Sequence, residues 1–250
     1  MLAEERWNKI LDLLEEQKTV TVPELTERLD TSEATIRRDL TGLAKRGRLK
    51  KVHGGATVID RQYIMSDEDT DGRSRINIGE KTTIAEYAAS LIGPSDFVYI
   101  DAGSTTAKLI DCITETRATY VTNSMIHAQH LSAKGCRVFI IGGQVKGITG
   151  AIVGAEALKS LERYNFSIAF LGANGVTPEQ GFTTPEVEEA AVKMHALNHA
   201  KKAYILADNS KFSRIAPVSF GTIDSAVIIT DRITDATYFK YKNIVEVSKK

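Results

Sequence analysis

Cysteine is scarce in this 250-residue chain: only Cys112 and Cys136 occur, in no spacing that suits a metal. That excludes a disulfide framework and points to a reducing cytoplasm. Long hydrophobic runs are missing too. Stretches such as Val138–Ile141 and Ala226–Ile229 are strand-sized, far short of the roughly 20 apolar residues a membrane span needs. The opening MLAEERWNKI is charged and carries no apolar signal core. Neither charge sign is in excess, with 32 basic and 32 acidic residues, so charge is informative only segment by segment. Familiar cofactor loops are also lacking. No G-x-G-x-x-G follows an apolar strand, which argues against a dinucleotide site. Gly142–Gly147 has the P-loop glycine spacing, but Ile148 stands where its lysine belongs. His195 and His199 are four apart on one helical stretch, yet Ala196 replaces the glutamate of a zinc protease; His127 and His130 fall on another. No G-x-S-x-G elbow exists. No cofactor, metal, membrane contact or catalytic residue is therefore expected.

The first 57 residues are informative. Trp7, Ile10, Leu11 and Leu14 recur at helical spacing and predict a helix over about Leu2–Gln17. Thr19–Val22 is β-branched and predicts a brief strand. Pro23 suits the first turn of a second helix, with Val22, Leu25 and Leu29 inward. Asp30-Thr31-Ser32 ends it, and Ser32 is placed to N-cap a third helix beginning at Glu33. There Ile36, Leu40 and Leu43 turn inward and Gly47 follows the end. Two helices across a tight polar turn form the helix-turn-helix pattern. Glu33, Thr35, Arg37 and Arg38 project outward near the start of the third helix, where a recognition helix meets base edges. Lys45, Arg46, Arg48, Lys50, Lys51 and His53 follow, as on a β-hairpin wing contacting phosphates. The net charge is −4 over residues 1–27 (three basic, seven acidic) and +5 over residues 28–57 (eight basic, three acidic). Double-stranded operator DNA is the expected partner.

Asp60–Arg75 is polar and lacks periodicity, as a connection would. Beyond it strands alternate with helices. Strands are predicted at Phe97–Ile100, Thr119–Val121, Arg137–Ile141, Ile168–Leu171, Ala203–Ala207, Ala226–Thr230 and Ile244–Val247. Helices are predicted at Lys81–Ile92, Thr105–Ile113, Ser124–Ala133, Ala155–Leu161 and Val187–Ala200. This alternation is the pattern of a mainly parallel sheet. Small polar residues follow the first five strands: Asp101 to Thr106, Asn123-Ser124, Gly142-Gly143, Gly172 to Gly175, and Asp208 to Lys211. Ligands of open α/β sheets bind at that edge. The Gly103-Ser104-Thr105-Thr106 turn before a helix suits a phosphate. Each turn taken alone is better explained as a tight βα turn or helix cap; five in a row on one edge favour a pocket. Glu189 stands four residues before Lys193, so a surface ion pair is the plain expectation for that lysine.

The stretch TVTVPELTERLDTSEATIRRDLTGLAKRGRLKKVHGGA resembles the DNA-binding signature of the DeoR family of sugar-operon repressors. The likeness continues through DAGSTT, VTNS, GG, LGANG, TT-x-E and DNSK, almost the whole chain. It looks closest to the fructose-operon branch, which implies fructose 1-phosphate. The resemblance implies an α/β protein: a winged helix-turn-helix (1–57), a linker (58–75), and a larger sugar-phosphate-isomerase-like effector domain (76–250). It implies a phosphorylated sugar held by Asp101, Gly103, Ser104, Thr105 and Thr106, with Asn123, Gly143 and Asn174 lining the sugar. Glu186, Lys193, Asp208 and Lys211 are further candidates. A homo-oligomer joined through the α/β domain is expected, because one reading module covers only a short half-site. Two alternatives stay open: an active sugar-phosphate isomerase or deaminase fused to a DNA-binding module, and an α/β domain that only dimerises. Asn174 weighs against the first, since an amide cannot shuttle the proton.

Overall fold

A computed structural model describes residues 3–45, 48–58, 70–147 and 149–247. The chain divides into two compact units, Met1–Arg61 with Thr234–Lys240, and Gln62–Ile233 with Tyr241–Lys250.

The first unit follows its apolar spacing closely. Helix α1 (Ala3–Gln17) buries Ile10 and Leu14, and strand β1 (Thr19–Thr21) buries Val20. In α2 (Val22–Leu29) the Thr21 hydroxyl accepts from the Glu24 amide, Pro23 occupies the first turn, and Val22, Leu25 and Leu29 face the core. Asp30 ends α2 in the left-handed region (φ 46°), its amide bonded to the Glu27 and Thr26 carbonyls. Aspartate is one of the few residues that enters that region readily. Helix α3 (Glu33–Lys45) starts where the Ser32 hydroxyl accepts from the Thr35 amide at 3.3 Å. Strands β2 (Lys50–Val52) and β3 (Gly55–Thr57) are joined by His53-Gly54, and the sheet order is β1-β3-β2. The wing is thus a three-stranded sheet that includes Thr19–Thr21. Arg46 and Gly47 lie outside the described residues, as does most of the predicted connection.

Two contacts fix α3 to α1. Asp39, on the inner side of α3 and 5% exposed, accepts from Arg6 Nε at 2.5 Å and Trp7 Nε1 at 2.8 Å. A side chain at Gly42 would place its Cβ 3.0 Å from the Trp7 ring, so the indole occupies the space this glycine leaves. Glycine inside a helix costs about 1 kcal/mol against alanine; here it is offset by seating the tryptophan.

The second unit opens with α4 (Thr70–Ser74), which lies within the residues expected as connection, and α5 (Ile78–Ser90). Then come β4 (Phe97–Ile100), α6 (Ser104–Cys112), β5 (Thr119–Thr122), α7 (Met125–Ala133) and β6 (Arg137–Ile140). The chain continues with β7 (Gln144–Val145), β8 (Ile152–Val153), α8 (Ala155–Leu161), β9 (Phe166–Gly172), β10 (Gly175–Thr177), β11 (Gly181–Thr184) and α9 (Val187–Asn198). It ends with β12 (Ala200–Leu206), β13 (Val218–Gly221), β14 (Val227–Thr230) and β15 (Ile244–Glu246). The main sheet has seven strands in the order β15-β14-β12-β9-β4-β5-β6, every neighbouring pair parallel. One core cluster joins α5 (Ile84, Ala88) and α6 (Leu109, Ile110) to Val98, Ile100, Ile168, Phe170 and Leu206 of the sheet.

The order reverses between β4 and β9. From β4 the chain steps outward through β5 and β6; from β9 it steps the other way through β12, β14 and β15. The carboxyl edge beside this reversal, here called the β4/β9 crevice, is where open α/β sheets bind ligands. Two small sheets, β10-β11-β13 and β7-β8, were not legible as strands.

Candidate functional site

On the first unit, Glu33, Arg37 and Arg38 are exposed on α3, with Ser32 exposed just before it and Thr35 half-buried. Arg37 pairs with Glu33 one turn earlier at 3.1 Å, both more than half exposed. Such a pair contributes about 0.3–0.5 kcal/mol, less than the roughly 1–3 kcal/mol of a bidentate guanine contact, so the guanidinium is free to exchange partners. Arg38 has no ion pair or hydrogen bond among the described residues. Lys45, Arg48, Lys50, Lys51 and His53 are all exposed. Lys51 reaches from the wing to the Thr41 hydroxyl on α3 at 2.8 Å, and Thr41 donates to the Arg37 carbonyl at 2.7 Å. Helix and wing thus form one basic surface. The acid of the R-R-D-L stretch, Asp39, is turned inward and held by Arg6, so it does not dilute that charge.

At the β4/β9 crevice, Asp101 is 1% exposed. Its Oδ2 accepts from the Gly172 amide at 2.9 Å and from the Lys193 ammonium, which also donates to the Gly172 carbonyl at 3.0 Å. Lys193 is buried and lies 5.6 Å from the Phe220 ring. The surface pair expected with Glu189 is not what this lysine makes: it crosses to a strand end 92 residues away in sequence. Glu189 is also buried and accepts from Lys146 at 3.0 Å and Thr149 at 2.8 Å. Burial pushes its carboxyl upward, but Lys193, Thr149 and Lys146 outweigh this and hold it below the usual range. The other Asp101 oxygen, Oδ1, is buried with no hydrogen-bond partner among the described residues.

Gly103 precedes α6 in an extended conformation and makes no side-chain cap, so the first amides of that helix are not capped by a side chain. Ser104 is half-buried and Thr105 buried. Thr106 is turned inward, its hydroxyl 2.8 Å from the Asp101 carbonyl and 2.9 Å from that of Gly103. It shapes the loop rather than adding a third outward donor. Asn123 plays a similar part: Oδ1 accepts from the Ala102 amide at 2.8 Å and Nδ2 donates to the Ile152 carbonyl at 3.3 Å. His127, at the start of α7, faces the backbone of Asp101; burial pushes its imidazole down to about 4, opposed by the Asp101 charge.

Past the end of β12, the strand beyond β9, Asp208 is fully buried and caps the short turn Asn209–Lys211 through the Ser210 amide at 3.0 Å. The same oxygen accepts from Asn77 Nδ2 at 3.0 Å. Its Oδ2 is buried with no partner among the described residues. Lys211 is half-buried and close enough to influence Lys81. Asn174 accepts from the Thr184 hydroxyl at 3.1 Å. Gly143 has a packing reason: its φ is +139° and a Cβ there would sit 2.7 Å from the Val153 carbonyl oxygen. Glu186 is exposed and lies 3.6 Å from Lys146. Asn77, Lys81, His127 and Lys146 had no signal in the sequence, since each depends on a partner distant along the chain. His195 and His199 stack at 4.2 Å, and no three His, Cys, Asp or Glu side chains among the described residues group to hold a metal. No helix among them is long and apolar enough to cross a membrane.

Residues 76–232 match the family profile described as DeoR C terminal sensor domain, and residues 6–62 that of the DeoR-like helix-turn-helix domain. Over 252 aligned positions, all of both chains, the protein is 42% identical to the HTH-type transcriptional regulator FruR of Bacillus subtilis, itself described as uncharacterized. It is 34% identical to the lactose phosphotransferase system repressor of Streptococcus mutans, over 99% of each chain. A ribose 5-phosphate isomerase A from Methanocaldococcus jannaschii overlaps 54% of this chain and 55% of its own at 18% identity; the TM-score is 0.41, a level that carries no inference. These matches, spanning both units, establish that the chain belongs to the DeoR family of transcriptional regulators, with a DNA-binding helix-turn-helix domain followed by a sensor domain.

Proposed function

We propose that this regulator represses a sugar catabolic or uptake operon and that a phosphorylated sugar bound at the β4/β9 crevice changes its affinity for the operator. The observation that carries the reading is a pair of buried carboxylate oxygens, Asp101 Oδ1 and Asp208 Oδ2, without partners among the described residues, at the carboxyl ends of β4, which borders the reversal of strand order, and of β12, the strand beyond β9. A buried acceptor left unmade is costly, and sugar hydroxyls are donors of the right kind. The uncapped amides of α6 with Ser104 and Thr105 supply a site for the phosphate. Asp101, Lys193, Asp208, Lys211 and Asn174 then surround the sugar, while Asn123, Thr106 and Gly143 hold the loops in shape. Glu186, exposed and beside Lys146, stands at the rim. Fructose 1-phosphate is the effector we propose first.

On DNA, Arg37, Arg38, Thr35, Glu33 and Ser32 read bases, and Lys45, Arg48, Lys50, Lys51 and His53 contact phosphates. Residues 1–57, 58–75 and 76–250 act as reader, connection and sensor in a cytoplasmic homo-oligomer. Turnover is not part of this reading. The Asp101 carboxylate and Lys193 ammonium hold one another, and Asn174 offers only an amide, which cannot move the proton. The test is isothermal titration of the full chain with fructose 1-phosphate, fructose 6-phosphate, glucose 6-phosphate and free fructose, with product analysis alongside. Binding of a phosphorylated sugar without conversion supports the reading; no binding, or steady conversion, contradicts it.

A further inference from the structure

The residues that lead into α5 are tied by side chains to the turn that follows β12 and to α4. Asn77, the residue before α5, sits in the left-handed region (φ 53°, ψ 42°) and makes no cap hydrogen bond with its side chain. Its amide nitrogen instead donates to Asp208 Oδ1 at 3.0 Å and to Ser210 Oγ at 3.3 Å. One turn on, Lys81 is 2% exposed and its ammonium donates to the carbonyl of Arg73 in α4. Helix α4 in turn lies against α6, the helix that begins at Ser104. The segment through which the chain enters the sensor unit is therefore held at two points, by the turn at Asp208 and by Lys81 of α5, and its helix α4 packs on the helix that begins at Ser104.

We infer that Asn77 and Lys81 are positioning residues that transmit occupancy of the crevice to the segment 70–77, and through it along the chain to the DNA-binding unit. The inference rests on the reading that the crevice binds a phosphorylated sugar. Asp208 is the shared element: one oxygen holds Asn77 and the turn at Ser210, and the other is buried without a partner among the described residues. A hydroxyl donating to the second oxygen draws on the same carboxylate that pins Asn77. Lys81 feels the same change. Burial pushes its ammonium down to about 8, opposed by Asp208 and assisted by Lys211, Arg73 and Lys108. An anion arriving among these cations shifts the balance at a lysine whose present acceptor is the α4 backbone. Ligand contacts that differ between two settings of this segment are what allostery requires.

Asn77→Gly keeps access to left-handed backbone while removing the amide, and Lys81→Met keeps the length of the stem while removing the ammonium. Each full-length variant is compared with wild type in calorimetric affinity for fructose 1-phosphate and in operator affinity with and without that compound. The expected result is binding of fructose 1-phosphate and bare operator affinity each within about threefold of wild type, with the ligand-induced change in operator affinity, roughly 5- to 150-fold for ordinary allosteric coupling, collapsing towards one. A merely structural role would lower the melting temperature and leave that ratio intact. Retention of the wild-type ratio in both variants overturns the inference. Wild type that neither binds nor responds to any of the three hexose phosphates overturns the ligand reading and the inference with it, and is recognised because the failure is already present before any substitution.

Discussion

Arg38 and Arg37 stand on the outer face of α3 over a core of Ile36, Leu40 and Leu43. If they read bases, the Arg37→Ala, Arg38→Ala double substitution costs about 1–3 kcal/mol per contact and relaxes sequence preference. Lys50→Ala instead weakens binding to every sequence and flattens its salt dependence. Fluorescence anisotropy at several salt concentrations separates the two; wild-type operator affinity in the double variant contradicts the assignment. Asp39 is a different kind of residue although it adjoins Arg38. It accepts from both Arg6 and Trp7, and Asp39→Ala leaves those donors unmade in a nearly buried site. We expect a loss of about 2–4 kcal/mol in urea unfolding. Asp39→Asn retains an acceptor for the indole and loses less. Equal stability of the alanine variant and wild type refutes this role.

Among the elements, α7 carries a titration that follows from its burial. His127 is 5% exposed and its folded pKa is about 4, against about 6.5 in an unfolded chain. A base depressed in the fold stays neutral there while the unfolded chain takes up its proton, so stability falls as pH drops from 6.5 towards 4. Between pH 7.5 and 4.5 wild type should lose about 2–3 kcal/mol more than His127→Asn. Parallel losses in the two proteins contradict it. Elements of this kind were legible to different depths. Helices α1 to α3 show their apolar spacing and caps locally, and α1 ends at Gln17, α2 ends before Asp30 and α3 begins at Glu33 as expected. The seven parallel strands were visible as apolar runs. The sheet β10-β11-β13 was not, because Gly175–Thr177 and Gly181–Thr184 are buried on both faces and built of glycine, threonine and few bulky residues. No alternation marks them. Helix α5 begins at Ile78, three residues before the expected Lys81, for a related reason: Asn77 spends its side chain on Asp208, 131 residues away. Lys193 carried a local signal that misled, since Glu189 lies at ion-pair spacing but Asp101 is the deeper partner.

At the scale of the molecule, one helix-turn-helix covers a short half-site, and useful discrimination requires at least two copies. Sedimentation of the full chain at micromolar concentration should show a dimer or larger species, and a monomer contradicts that expectation. The candidate loops were predicted from their composition, and the parallel sheet puts their ends on one edge. What composition could not supply is that the order reverses between β4 and β9 and that Lys193 locks Asp101 there. The account turns on whether a phosphate dianion at the start of α6 is felt at the DNA. Operator affinity, measured with and without fructose 1-phosphate for wild type and Ser104→Glu, is the direct test. A carboxylate at position 104 repels the phosphate from the α6 amides and leaves the reading face untouched. The account predicts that the phosphorylated sugar shifts wild-type affinity roughly 5- to 150-fold, that free fructose does not, and that Ser104→Glu binds operator normally without responding. An undiminished response in Ser104→Glu, or an equal response to free fructose, would contradict it.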